Sequence, residues 1–593
     1  MSAYTEPCLV CPELRAQLDA ATQRARDLET LVESLRTQLR QATDLIELQA
    51  ADIARYRAEQ ERTRPNRPEH MPQDQLQLAF EHVVASFADS AAARELADAA
   101  AANDDADSAD SADGDRSPPP TKPRGKGRHR HGRRRLDLTN LPVEKVVLDP
   151  DEVVAKGGEG FEFVDEEITK RLAFRPGTYV RLEVVRRKWV RVEQEQPAAT
   201  SKSLVPITVE EDRPSRMVVA PLPDSLWPTF MADASAIADV IISKYDDSLP
   251  LHRQERISAR NGFHVPRSTQ CSWLTEAYKV LYRIVDAMFM EGVRTAFCMA
   301  TDATGAPVRA RGSCDHWHIF VFIADKDHVV FRYTERHDSE AVQGFLVDFK
   351  GHLLSDAAAV YDVLHRNGAI EVACWFHLRR HFWRGLEVDR QRAIEALSII
   401  SKLFEVARDC RDLPEPERTT VRAARCRPIL ALFDAWVARN RDAFDPRGTL
   451  AKGVGYYTNQ RAALHRFLDD GRLRLDNSIS EQQLRKVVLG RHNWMFFENE
   501  TGLKWYTTFR SLIASCALHG INAHQYLEQV LRLAPHWPVS RVLELAPKYW
   551  KATVARLDEQ QRRILTPPWQ CEWPALAALP KRGRAAEALA KTG

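Results

Sequence analysis

The stretch RTAFCMATDATGAPVRARGSCDHWHIFVFIADKDHVVFRYTER, residues 294–336, sets the architecture of the chain. Within it, RTAFCMATDAT, HWHIFVFIAD and HVVFRYTER are runs rich in β-branched and aromatic residues. Short turns separate them, so they read as three consecutive strands. SEAVQGFLVDF (339–349) has the spacing of an amphipathic helix. GHLLSDAAAVYDVL (351–364) and AIEVACWF (369–376) each pass from a strand-like run into a helix.

The order β-β-β-α-β-α-β-α is that of the ribonuclease H-like fold. The predicted fold class is therefore α/β, with a ribonuclease H-like catalytic core whose first part spans 291–385. Helical periodicity without strands over 386–470 predicts a helical insertion. A core helix with Glu481 follows at 471–500, then a C-terminal helical domain at 501–550 and a peripheral tail at 551–593.

Upstream, apolar residues from Leu14 to Tyr56 recur in alternating steps of four and three, which predicts a coiled coil over 12–60. A long amphipathic helix packed on its own chain is the alternative. Residues 61–135 form a low-complexity Ala/Asp/Ser linker, which cannot bury a core, ending in a basic arm. The arm carries Arg124, Lys126, Arg128, Arg130, Arg133, Arg134 and Arg135 with no acid among them, so it reads as a phosphate-contacting segment. A small β-rich unit is expected at 136–195. Residues 228–290 have a helix-turn-helix plan, with a helix to Ala259, a turn at Gly262 and a second helix opened by Arg267, Ser268 and Thr269. Two packed core helices fit that pattern equally well.

Asp302 ends the first strand of the core block and Asp356 ends the fourth. These two strands are neighbours in a ribonuclease H-like sheet, and Glu481 lies on a later helix able to cross that edge. Three carboxylates without Cys or His form a hard-oxygen set suited to Mg²⁺ or Mn²⁺, two ions being expected, and not to zinc. Arg379, Arg380, Arg485, Lys486 and Arg491 are candidate phosphate contacts beside them. Cys374, His377, Asn477 and Trp494 are expected to support the site. Each acid also has a plain structural reading: Asp302 as a turn cap, Asp356 as a helix N-cap, Glu481 as a capping-box partner of Ser478.

ISKYDDSLPLHRQERISARNG, PRSTQCSWL, TDATGAPV, EVACWFHLRRHFW and RFLDDGRLRLDNSISEQQLRKVVLGRHNWMF, with the later SLIASCALHGINAHQYLEQVL, carry a family resemblance. The chain resembles the transposases of the bacterial insertion sequence 66 family over nearly its whole length. The resemblance implies an Asp-Asp-Glu triad at Asp302, Asp356 and Glu481. Glu481 follows Asp356 by 125 positions, a gap like that of relatives with a helical insertion. It further implies metal-dependent cleavage and strand transfer of double-stranded DNA with terminal inverted repeats. Companion proteins from the same element are also implied. Many relatives hold zinc through Cys-x-x-Cys pairs after the basic arm. Here the corresponding positions read Ala155-Lys156-Gly157-Gly158, so the β-rich unit is expected to have lost its ligands. Ala303 stands where many relatives have a second acid. A nuclease or resolvase without joining activity, or a catalytically silent DNA-binding protein, are the competing functions.

The chain has 593 residues, 44% hydrophobic and 28% charged, with a net charge of +2 that hides the segregated basic arm. Ten scattered cysteines are too few for a disulfide scaffold and suit a reducing cytoplasm. Cys8 and Cys11, just before the coiled coil, could pair across a homo-oligomer around a metal. The N-terminus lacks the pattern of a signal peptide, and no apolar run reaches bilayer length. A cytoplasmic protein without a membrane partner is expected.

Overall fold

The computed structural model describes residues 71–101, 136–191, 217–223 and 230–577, apart from Asp89 and Pro176, together with scattered positions between 16 and 36. The described positions of the coiled-coil segment are helical, and the rest of that prediction lies outside the described residues. The basic arm, including Arg124 to Arg135, and the Cys8 and Cys11 pair also lie outside them.

A small sheet comes first. Strands β1 (Val143–Leu148), β2 (Phe161–Arg175), β3 (Thr178–Arg191) and β4 (Met217–Val219) are arranged with β3 between β1 and β2, and β4 also pairing β3. One face buries Val146, Leu148, Val180, Leu182 and Val184. At its other end Val153, Phe163 and Trp189 form a second cluster beside the 155–160 turn. That turn carries Gly157, Gly158 and Gly160, all at positive φ, a backbone form that glycine adopts without a Cβ penalty. Residues 551–577, expected to be peripheral, instead contribute to packing. Leu557 and Leu565 are buried, and Trp569, Trp573 and Leu576 pack against the small sheet. Their aromatic and apolar side chains outweigh the surrounding Pro- and Ala-rich composition.

The larger sheet holds β5 (Cys298–Arg309), β6 (Cys314–Ala324), β7 (His328–Thr334), β8 (His352–Ser355) and β9 (Ile370–Ala373) in the order β7-β6-β5-β8-β9. β5 pairs antiparallel with β6 and parallel with β8, and β8 pairs parallel with β9. The strands are apolar because both faces are covered; Ile319 to Ile323 are all at most 1% exposed. Helices α1 (Arg267–Thr295), α2 (Trp375–Gly385), α3 (Ser478–Trp494) and α4 (Glu500–Leu518) surround the sheet. The edge strand β7 is closed by α4: Ser515 Oγ accepts from Val329 N (3.0 Å) and Ser511 Oγ from Phe331 N (2.8 Å). These side chains satisfy edge amides that would otherwise template pairing with another chain.

The helix-turn-helix plan is corrected in one respect. A helix at Leu251–Arg260, Gly262 at φ +84° and a second helix from Arg267 are present. The second helix, however, runs 29 residues and buries Trp273, Leu274, Leu281, Ile284, Met288 and Phe289. Most of it is therefore core, and in its first turn Arg267 and Ser268 are exposed while Gln270 is already buried.

Beyond α2, helices at Arg390–Asp409, Glu415–Asn440 and Thr449–His465 lie between Asp356 and Glu481 in sequence. The second of them holds the loop that leads into α3. Arg418 donates to Gly471 O (3.1 Å) and Arg422 to Leu473 O (2.7 Å), while Gly471 N donates to Thr419 Oγ1 (2.7 Å).

Candidate active site

The strand register explains how two distant aspartates meet. Ala300 on β5 pairs with Leu354 on β8 in parallel. Asp302 lies two residues beyond Ala300, and Asp356 two residues beyond Leu354. Asp302 neither ends its strand nor caps a turn as expected: β6 goes on pairing with β5 as far as Arg309, with Asp302 opposite Val321. Alternating side chains on parallel neighbours at one level point the same way, so both carboxyls leave the sheet at one place. Asp302 Oδ1 accepts from Ala303 N (2.7 Å) and Asp356 Oδ1 from Ala358 N (3.1 Å). Ala357 between them and the following helix sits at φ +60°. That kink delays the helix expected from Ala357: a single 3₁₀ turn forms at Ala359–Tyr361 and a helix at Asp362–Arg366.

Glu481 stands in the first turn of α3. Its carboxylate accepts from Arg380 Nη2 at 3.1 and 3.2 Å, and His377 Nε2 lies 3.6 Å away. Both partners lie on α2. The capping-box reading of Glu481 is corrected: the N-cap position is Asn477, not Ser478, and no side chain caps the helix there. Asn477 instead ties α3 to the sheet. Its Nδ2 donates to Thr301 O (2.7 Å), next to Asp302, and its backbone N donates to Cys374 Sγ (3.1 Å). Trp375 N donates to Leu475 O (3.2 Å). One buried asparagine thus fixes the Glu481 helix against the Asp302 strand and the start of α2.

The electrostatics follow from this crowding. Burial pushes the Asp302 carboxyl up to about 7, and the nearby Asp356 and Glu481 charges push the same way. The Ala303 amide and Arg380 act in the opposite direction. His377 is held below its ordinary value by burial, with Arg380 and Arg384 adding to that effect against the pull of Asp356 and Glu481. Burial raises the Cys374 thiol to about 12, and its sulfur accepts a hydrogen bond from Asn477 N.

A set of mutually repelling, partly buried carboxylates is what a divalent cation neutralises, and its oxygens suit Mg²⁺ or Mn²⁺. The donor chemistry therefore fits. Among the described residues, though, no three His, Cys, Asp or Glu side chains stand together in ligating geometry. The Glu481 carboxylate is instead engaged by Arg380.

The comparisons with known proteins bear on this site. The profile of the Transposase IS66 family matches residues 229–505, and that of the IS66 C-terminal element matches 511–547. The chain belongs to the IS66 transposase family. Relatives include three proteins of Sinorhizobium fredii, each named only as an uncharacterized protein: y4qI, y4hP and y4jD. The first is 28% identical over 53% of this chain, which spans 62% of that relative's length. The second is 25% identical over 70% of this chain and 76% of its own, and the third 26% over 56% and 69%. No helix among the described residues is long and apolar enough to cross a membrane.

The cationic side chains anticipated as DNA contacts have varied settings in this family member. Arg380 is on Glu481. Arg491 donates to Gly305 O and to Thr304 Oγ1, bracing β5 just after Asp302. Lys486 pairs with Asp246 (3.0 Å), which also receives Arg510 (2.8 Å). Arg267 pairs with Glu255 (3.0 Å), and its neighbour Ser268 is exposed while Thr269 is half-buried. Arg379 lies over Trp383 and Phe376. Arg485 is exposed. Trp494 is an anchor, packed on Phe497 and Tyr506 with ring centroids 4.6 and 5.8 Å away. Tyr456, whose hydroxyl donates to Asp356 O (3.4 Å), had no signal in the sequence, since it is one of two adjacent tyrosines in an ordinary helical segment.

Proposed function

We propose that this chain is a DNA transposase whose Asp302, Asp356 and Glu481 form the catalytic triad of a ribonuclease H-like core. The reading rests above all on one observation: Asp302 and Asp356 leave adjacent parallel strands at one level, and the Glu481 helix is pinned to the same strand through Asn477. The sheet order β7-β6-β5-β8-β9, with one parallel and one antiparallel neighbour for β5, supports the ribonuclease H-like assignment.

In this reading the three carboxylates hold divalent metal, which supplies activation of water or a 3′-hydroxyl and charge neutralisation at phosphorus. Arg380 neutralises Glu481 in the resting site. Its release frees a guanidinium for a phosphate oxygen, a geometry Arg serves well. Asn477 keeps the carboxylates in register, and Arg491 holds the β5 backbone behind Asp302. The substrate is double-stranded DNA with terminal inverted repeats. Self-association through the 12–60 coiled coil, companion proteins of the same element and a cytoplasmic site of action belong to the same proposal.

The test is cleavage and joining, with Mg²⁺ or Mn²⁺, of duplexes taken from the DNA flanking the gene. Asp302→Asn should bind the duplex normally and cut at least about a hundredfold more slowly, the scale at which single catalytic groups act. Cleavage without joining of a pre-cut end would leave a nuclease. Unchanged cleavage in Asp302→Asn would remove the triad.

A further inference from the structure

The C-terminal end of the Glu481 helix has an unusual turn. Trp494 O accepts from Phe496 N (2.8 Å), and Met495 between them has φ +65° and ψ −54°. This is a γ-turn of the strained, non-inverse kind, rare for any residue with a side chain. Strain of this sort persists only where the surroundings over-determine it. Here they do. Trp494 and Phe497 lock into Tyr506 behind the turn. Phe497 N donates to Pro307 O (2.8 Å) and Phe497 O accepts from Arg309 N (2.8 Å). The result is to hold two apolar side chains in solvent: Met495 is 71% exposed and Phe496 36%.

The ground around this point favours a polyanion. Arg485, Leu489 and His492, at i, i+4 and i+7, are all exposed and lead along one face of α3 toward the turn. Arg309 and Arg311 lie on the β5–β6 hairpin that Phe497 joins, and both are exposed. Arg309 pairs with Glu498 (2.7 Å), the acid closest in sequence. Glu498 and Glu500 follow the turn, each paired with a cation, Arg309 and Lys504. An apolar tip with exposed cations on the adjoining helix face and hairpin suits a nucleic-acid duplex, where Met and Phe enter unstacked base steps and the cations meet the phosphates.

Resting on the transposase reading, we propose that Met495 and Phe496 form a wedge that enters and opens one base step of the DNA end held at the carboxylate site. The helix carries the wedge 14 positions beyond Glu481, or about 20 Å at about 1.5 Å per residue. The opened step therefore lies about six base pairs from the cut, at about 3.4 Å per pair.

The experiment uses the full chain and flanking-DNA duplexes carrying 2-aminopurine at successive positions, without divalent metal. Wild type should raise fluorescence at one step four to eight base pairs from the cleavage point. Met495→Ala with Phe496→Ala should cut that rise at least fivefold and slow cleavage, and an unpaired base built in at that step should restore cleavage. Met495→Gly is the second variant. Glycine accepts the turn without strain, so the protein should melt no lower than wild type, yet the fluorescence rise should fall. Full fluorescence in these variants overturns the wedge. So does a change confined to sedimentation, which would mark the patch as a self-contact. Cleavage that persists without any fluorescence rise in wild type leaves the transposase reading standing and removes the wedge alone. No binding of the flanking duplex overturns both.

Discussion

Asp302 carries the conflict of the site in one side chain. It is buried beside two further carboxylates, which is costly in the absence of a cation. Asp302→Asn should therefore melt at a higher temperature than wild type when both are kept in chelator at pH 8. An unchanged or lower melting temperature would mean the carboxylates do not repel there. Asn477 has the opposite character. Replacing it by Ala removes the bond to Thr301 O and leaves that buried carbonyl unpaired, at a cost of about 1–3 kcal/mol. The expected signature is a lower kcat together with a lower melting temperature; Asn477→Ala that melts like wild type would sever the proposed tie. At this scale the two aspartates were legible because each follows an apolar run, although only Asp356 comes at a strand's end, Asp302 lying within β5. The sequence did not show Arg380 on Glu481, a contact across 101 positions made by a residue that reads equally well as a phosphate ligand. Nor did it show that Arg491 turns inward to the β5 backbone, since a guanidinium at a helix end is ordinarily read as solvent-facing.

At the level of elements, the Glu415–Asn440 helix holds the loop that leads into α3. Gly471 lies so close to the Glu415–Asn440 helix that an added Cβ would fall 2.3 Å from Glu415 O, a backbone atom that cannot swing aside. Gly471→Ala should cost at least about 2 kcal/mol through this overpacking and should lower activity by shifting α3. A urea midpoint equal to wild type would show that the loop gives way freely. The strand order and the helical character of 386–470 were legible from hydrophobic period and turn residues. Helix lengths were not. The helix opened by Arg267 continues through 29 residues because its apolar face meets the sheet, and a motif reading stops at the motif. The kink at Ala357 was also invisible, since a left-handed alanine leaves no mark in composition.

Across the whole molecule, protonation sets an acid limit. Burial holds His318, His328, His352, His465 and His524 below their ordinary value of 6.5. Their folded-state affinity for protons is lower than in the unfolded chain, so their contribution is intact above about pH 6.5 and is lost progressively as pH falls below it. Asp233, bound to Arg532 and held below 3.8, adds a further loss only at still lower pH. In Asp302→Asn, where the opposing relief from protonating the raised Asp302 carboxyl is absent, melting temperature should therefore fall from pH 7 to pH 5; a flat profile would contradict the burial of these imidazoles. Finally, the small sheet is finished by residues from the far end of the described chain. Asp149 is buried and accepts from Trp189 Nε1 (2.8 Å), Arg187 (3.0 Å) and Leu576 N (2.7 Å), the last across 427 positions. During synthesis on the ribosome, the larger sheet emerges while this knot still lacks its closing thread. A product ending before Trp569 would therefore leave Asp149 without its Leu576 partner and uncover the apolar face that Trp569 and Trp573 close.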